Sequence, residues 1–263
     1  IYYNHNIKIK QKQGKMHKNN SKDLAIYIHY PFCESKCPYC DFNSHVGNNI
    51  DDEAFKKAYL AEIDYFSQQI AEKNVTTIFF GGGTPSLMSE DLLESILDNL
   101  HKKFKICKDV EISLEANPGS FEAKKFQNFR NIGVNRLSIG VQSFNDESLK
   151  FLGRKHSSSE AIKAIENAQN IFDNFSIDLM YSLPEQKVSD WLDELKYALS
   201  FDTKHLSLYQ LTIEKGTPFF SDYLKKKFIM PDDDTSREFF EKTVSLMQEN
   251  GYENYEISNF AKI

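Results

Sequence analysis

The sequence predicts an α/β protein built as an open, partial (βα)6 barrel of TIM type with parallel strands. Three observations predict it. Six short apolar or β-branched runs alternate with longer stretches of helical periodicity, the pattern of βαβ units and a parallel sheet. Conspicuous polar residues fall where those runs end: three cysteines after the first, three glycines after the second, then Glu115, Gln142, Asp178 and Tyr209. The carboxyl ends of strands are where functional groups collect in parallel barrels. Finally, 263 residues suit one α/β domain, while six units are too few to close an eight-stranded ring.

The first strand is read at residues 24–29. Phe55, Tyr59, Ile63, Phe66 and Ile70 then recur at spacings of four, four, three and four, one face of a helix. A β-branched and aromatic strand at 75–80 ends in Gly81-Gly82-Gly83-Thr84-Pro85. Ser89 caps the next helix, striped by Leu92, Ile96, Leu100 and Phe104. A third strand at 110–114 ends in Glu115-Ala116-Asn117-Pro118-Gly119, a helix covers 121–131, and a fourth strand at 136–141 ends at Gln142. Ser157 and Glu160 have capping-box spacing before a helix with Ala161, Ala164, Ile165, Ala168 and Phe172 inward. The fifth strand, 175–178, continues into Leu179-Met180-Tyr181-Ser182-Leu183-Pro184. A helix around 191–199 precedes the sixth strand at 205–211. Residues 216–231 read as a polar connection, 233–249 as a helix, and 252–263 carry no clear terminating signal. The expected organisation is a tail over 1–22, a core over 23–215 and a trailing segment over 216–263 leading to a C-terminal domain that is missing here.

Composition excludes several classes. Hydrophobic residues make up 40 % of the chain, with 21 Phe and 13 Tyr, enough for a sizeable core. A net charge of −6 gives no electrostatic footing for nucleic acid. No apolar run reaches membrane-spanning length. Three of the four cysteines sit in one loop at ligand spacing, which points to a reducing compartment rather than a disulfide framework. Residues 1–15 are basic and precede Met16. They lack the Arg and Ser of a mitochondrial presequence and are expected to be a solvated tail or to lie upstream of the true start.

Chemistry concentrates in Cys33-Glu34-Ser35-Lys36-Cys37-Pro38-Tyr39-Cys40, spaced Cys-x3-Cys-x2-Cys. A structural zinc takes four protein ligands, so His45 or His29 would have to complete it. A cubane iron–sulfur cluster on three thiolates leaves one iron open to an outside ligand. Plain buried thiols are the remaining alternative, but the aromatic and proline framing of the loop favours the cluster. The glycine run lets backbone approach a ligand closely, or it is an ordinary strand-to-helix turn. Taken alone, Glu115 reads as a solvated strand-end acid and Arg154 as one half of a surface salt bridge. Cys107 reads as a spare thiol in a link, His101 and His205 lack ligand-spaced partners, and 225–227 is a solvated edge.

The cysteine run with its His29-x-Pro31-Phe32 lead-in resembles the cluster loop of radical S-adenosylmethionine (SAM) enzymes, specifically the HemN/HemW branch. Gly81-Gly82-Gly83-Thr84-Pro85, Leu152-Gly153-Arg154-Lys155-His156, Ile177-Asp178-Leu179-Met180-Tyr181 and Tyr255-Glu256-Ile257-Ser258-Asn259 share the resemblance, which extends from Leu24 to the end. It implies a [4Fe–4S] cluster on Cys33, Cys37 and Cys40, with SAM chelating the open iron and cleaved reductively there. It places Tyr27, Gly82, Gly83, Thr84 and Glu115 around that SAM. Gln142, Arg154 and Asp178 match positions that hold a second SAM, and Tyr39 joins the cofactor-binding residues.

HemN enzymes, which oxidatively decarboxylate coproporphyrinogen III, carry a further cysteine two residues after the third cluster cysteine. Phe42 stands there in this chain. The resemblance is therefore to the HemW-type haem chaperones, with an oxygen-independent coproporphyrinogen III oxidase as the alternative. It implies haem or porphyrin as ligand, haem-accepting proteins as partners, a haem site in a C-terminal domain, a cytoplasmic location, and neither nucleic acid nor a membrane span.

Overall fold

The computed structural model describes residues 22–47, 50–70, 72–119 and 123–263. Nearly all of the expected tail, and the start of the helix expected over 121–131, lie outside them.

The first strand, β1 (Asp23–Tyr30), is followed by a two-strand bridge, β2 (Phe32–Cys33) with β3 (His45–Val46). Helix α1 (Asp52–Ile70) leads to β4 (Asn74–Gly82), a 3-10 turn at Pro85–Leu87, and α2 (Glu90–Lys103). Next come β5 (Lys105–Ala116), α3 (Phe126–Ile132), β6 (Arg136–Gln142), α4 (Asp146–Phe151) and α5 (Ser158–Ile171). The chain continues with β7 (Phe175–Tyr181), α6 (Val188–Leu199), β8 (His205–Gln210), α7 (Pro218–Leu224) and α8 (Asp233–Glu249). It closes with the hairpin β9 (Tyr252–Asn254) and β10 (Asn259–Lys262).

The predicted fold class holds. Strands β1, β4, β5, β6, β7 and β8 pair parallel in sequence order, and among the described residues β1 has no second neighbour and is an edge. The predicted caps form: Ser89 Oγ accepts from the Leu92 amide at 3.2 Å, and Ser157 and Glu160 make the reciprocal capping box. Each satisfies helix-end amides that would otherwise be orphaned.

Two local readings need correction, and two elements go beyond what the sequence marks. Residues 252–263 form a hairpin, with β10 antiparallel to β8, and Phe260 sinks into the main core at 1 % exposure. Strands of three and four residues are too short to show periodicity. The connection at 216–231 contains α7, started by Thr217 Oγ1 accepting from the Phe220 amide and by Pro218 in the first turn. Helix α4 intervenes before α5, capped by Asn145. Cys107 lies inside β5, because Lys105 and Ile106 already pair with Asn74 and Val75 ahead of a register shift. Among the described residues, no helix is long and apolar enough to cross a membrane.

The two faces of the sheet differ sharply. Residues such as Ile112, Leu114, Leu137, Ile139, Ile177 and Leu208 face the helices and build the core with Trp191, Phe126 and Phe239. The alternate positions turn toward the barrel interior and are small or polar. Arg136 pairs in register with Ser113, Ser138 with Glu115 and Ser176, and Asp178 with Ser207. Closed barrels fill this space with layers of branched aliphatics. Here it is left open to polar chemistry.

Candidate functional site

The cysteine loop is held at both ends before any side chain acts. The His45 amide donates to Pro31 O at 2.7 Å and the Gly47 amide to Cys33 O at 3.3 Å. Lys36 Nζ crosses the loop to the carbonyls of Phe42 and Ser44. The Phe219 amide of α7 donates to Pro38 O at 3.0 Å. Neither histidine joins the thiols: His29 bonds Tyr27 through Nδ1 and the Asn43 carbonyl through Nε2, and His45 is exposed.

The glycine turn abuts this loop. The Gly83 amide donates to Tyr30 O at 2.7 Å, the Thr84 amide to Phe32 O at 2.8 Å, and the Gly82 amide to Glu115 Oε2 at 3.1 Å. A Cβ on Gly83 would sit 2.5 Å from Phe32 O, and on Gly82, at φ 118°, 2.9 Å from Tyr30 O. These three amides are therefore committed within the protein. The glycines thus permit close docking of the turn on the loop, and the turn also forms part of a cavity wall.

Above the strand ends lies a cavity of about 340 Å³, within the usual range for small-molecule sites. Cys33, Cys37, Cys40, Tyr39, Gly82, Gly83, Thr84, Glu115, Gln142, Arg154 and Asp178 all line it. Tyr27 is the exception among the predicted residues. It sits on the inner face of β1, its phenol 3.2 Å from His29 Nδ1, outside the cavity wall.

Two carboxylates share the cavity. Burial, then the neighbouring Asp178, pushes the Glu115 pKa up to about 7. Burial also raises Asp178, against the hydrogen bonds that Ser207 and Ser138 give it. A directed chain feeds it: Arg136 Nη2 donates to Ser176 Oγ, Ser176 to Ser138, and Ser138 to the Asp178 carboxylate at 3.1 and 3.2 Å. The Glu115 shift has a consequence for stability. Between about pH 4.5 and 7 the unfolded carboxyl has lost its proton while the folded one keeps it, so stability of the ligand-free chain falls as pH rises. Glu115→Gln is expected to flatten that slope and to stabilise the chain above the window. Thermal melts at about pH 5 and about pH 8 check it; an unchanged slope in the variant contradicts it.

Arg154 is not one half of a surface ion pair. Its Nη1 donates to Cys37 Sγ at 3.3 Å, and its Nη2 to Asn117 Oδ1 at 2.6 Å and Gly140 O at 2.9 Å. Its Nε is buried without a partner. Gln142, at the last position of β6, has φ 67°, a left-handed conformation uncommon outside glycine and a mark of local strain. Burial, then Arg154, lowers the His156 pKa to about 4, and its Nε2 donates to Val141 O at 3.0 Å. Asn117 and Ser138 were missed by sequence reasoning. Asn117 stands two residues beyond Glu115 at the same strand end, and Ser138 carries the inward phase of the β6 alternation.

Among the described residues, no three His, Cys, Asp or Glu side chains meet at the spacing of a single ion. The donor set is three half-buried thiols around one cavity, and among the described residues no histidine lines that cavity beside them. That set suits a polynuclear cluster with an open position better than a tetrahedral zinc.

Comparison with known proteins supplies the context. A model of the radical SAM superfamily matches residues 27–198. The chain is 42 % identical over 241 residues to a protein of Escherichia coli (strain K12) named heme chaperone HemW, covering 91 % of this chain and 63 % of that one. It is 38 % identical over 243 residues to the mouse protein named radical S-adenosyl methionine domain-containing protein 1, mitochondrial, covering 92 % of this chain and 55 % of that one. Among solved structures, the E. coli coproporphyrinogen III oxidase HemN, described as a radical SAM enzyme, superposes with a TM-score of 0.81 at 26 % identity. That match covers 92 % of this chain and 56 % of HemN. The chain thus spans a little over half to just under two thirds of the length of these relatives.

Proposed function

This chain belongs to the radical SAM superfamily, and on that premise we propose that it is a protein of haem metabolism, a HemW-like chaperone that binds haem and inserts it into acceptor proteins. Family membership implies a [4Fe–4S] cluster and SAM, which when bound supply one-electron reductive cleavage of a sulfonium. The residues that would hold the cluster are Cys33, Cys37 and Cys40. Glu115 and the turn Gly82, Gly83, Thr84 would hold the SAM beside it, Glu115 by accepting from ribose hydroxyls; Tyr27 is assigned to that SAM by the resemblance alone, since it stands outside the cavity wall. Gln142, Asp178, Arg154 and Tyr39 form the other part of the wall and would hold a second SAM. A cytoplasmic location suits thiols that must stay reduced.

Phe42 is the observation that carries the choice of branch. It lines the cavity at 62 % exposure, where the decarboxylating enzymes carry a further cysteine. A thiol at that point is a proton and hydrogen donor; a phenyl ring is neither. The likeness to HemN keeps coproporphyrinogen III decarboxylation as the alternative.

The test is an anaerobic assay of the reconstituted chain with SAM, a reductant and coproporphyrinogen III. The expected result is no carbon dioxide above a Cys33→Ala control. Steady release above that control would establish the dehydrogenase reading instead. In parallel, the chain joined to the C-terminal region of its bacterial relative is expected to bind haem and pass it to a haem-free acceptor. Failure of that fusion to bind haem removes the chaperone reading.

A further inference from the structure

We propose that Arg154 and Tyr39 are positioning residues of the cysteine loop, holding the Cys37 sulfur and raising the reduction potential of the cluster bound there. The proposal rests on the cluster reading above and adds a role that does not require a second SAM.

Four contacts converge on one segment. Arg154 Nη1 donates to Cys37 Sγ at 3.3 Å. The Tyr39 hydroxyl lies close to the same sulfur and to the guanidinium, all three side chains sharing one cavity wall. Pro38, between them, packs on Gly153, where a Cβ would meet Pro38 Cδ at 2.6 Å and where φ is 68°. The Pro38 carbonyl accepts from the α7 amide of Phe219, whose ring stands 6.2 Å from that of Tyr39.

Arg154 in turn is fixed from behind. Its Nη2 bonds Asn117 at the end of β5 and the Gly140 carbonyl of β6, and Asn117 Nδ2 donates to Thr84 Oγ1 at 3.3 Å. One guanidinium therefore ties the cysteine loop to two strand ends and, through Asn117, to the glycine turn. Only a planar fork does this; an ammonium reaches one or two of these acceptors but not all three. The three acceptors of Arg154 are a sulfur, an amide oxygen and a backbone carbonyl, none of them a carboxylate, and its positive charge also reaches Asp178 across the cavity. Hydrogen bonds to cluster sulfurs and nearby positive charge both favour the more negative, reduced state, and so raise the potential.

The decisive measurement is made without SAM. A residue that serves only a SAM carboxylate cannot change the SAM-free cluster. The full chain and its Arg154→Met, Arg154→Lys and Tyr39→Phe variants are reconstituted anaerobically. Iron and sulfide content are measured, followed by a redox titration monitored by visible absorption and EPR. The expected result is a potential shifted to more negative values in Arg154→Met, less so in Arg154→Lys, and in the same direction in Tyr39→Phe. Tyr39→Phe keeps the ring packed and loses only the hydroxyl, so it decides the matter should Arg154→Met assemble no cluster. Potentials unchanged in the variants that hold a cluster overturn the proposal and leave the cluster reading intact. A wild-type chain that takes up no iron removes both.

Discussion

Anaerobic reconstitution is expected to place one [4Fe–4S] cluster on this chain, and Ala at any one of Cys33, Cys37 or Cys40 is expected to abolish its visible absorption. The loss should be essentially complete. Three thiolates are the minimum that fixes a cubane with one open iron, and among the described residues neither nearby histidine is placed to substitute: His29 has both ring nitrogens in hydrogen bonds, and His45 is exposed and does not line the cavity. Cys107→Ala is the control. Its thiol lies in β5 and not in the cavity wall, so cluster content should be unchanged. Stoichiometric zinc with no iron uptake would falsify the assignment. Retained absorption in a single-cysteine variant would mean that a ligand outside the loop is recruited.

The second large effect is expected from Gly83→Ala. The added methyl would lie 2.5 Å from the Phe32 carbonyl oxygen and 2.8 Å from its carbon. Both are backbone atoms of the cysteine loop, so no side chain can rotate away. Relief requires the glycine turn and the loop to separate, breaking the bonds from the Gly83 and Thr84 amides to Tyr30 and Phe32. A cost of about 3 kcal/mol, or about 6–12 °C in Tm for a chain of this size, is expected. Cluster uptake should fall with it even below the melting temperature, because the loop is displaced. Gly216→Ala sets the scale. Nothing lies within 4 Å of its Cβ position, so only the positive φ of 86° opposes the methyl, at about 1 kcal/mol. Equal Tm losses in the two variants would show that backbone conformation, and not docking against the loop, is what Gly83 supplies.

Much of the site was legible because each strand end was marked. A strand that must bury one face in helices shows its apolar run, and a polar residue placed just after it is visible by contrast. Cys33, Glu115 and Gln142 were found in this way; Asp178, expected at the end of the fifth strand, stands midway along β7 instead, and the structure brings all four to one cavity. The interior of the barrel was harder. Ser113, Ser138, Ser176 and Ser207 each sit between two apolar neighbours. A single serine in an apolar run reads as tolerated core, and only the pairing of strands reveals that four of them face one space.

Read alone, the chain does not specify α4, α7 or the final hairpin, but it does specify the six core strands, the parallel sheet, the three-thiol donor set and the positions of the glycines. Those are properties of local composition and short spacing, which sequence carries directly. Tertiary structure decided what the groups contact. Arg154 lies 117 residues from the cysteine whose sulfur it bonds, and Glu115 lies 33 from the amide it accepts. No periodicity encodes such distances. The glycine amides likewise looked available until the loop was seen to occupy them. Hydrogen bonding is exclusive, so an amide's role is fixed only once every neighbour within 3 Å is known. The terminal hairpin follows the same logic: three- and four-residue strands become stable only because β8 offers them an edge and the core accepts Phe260.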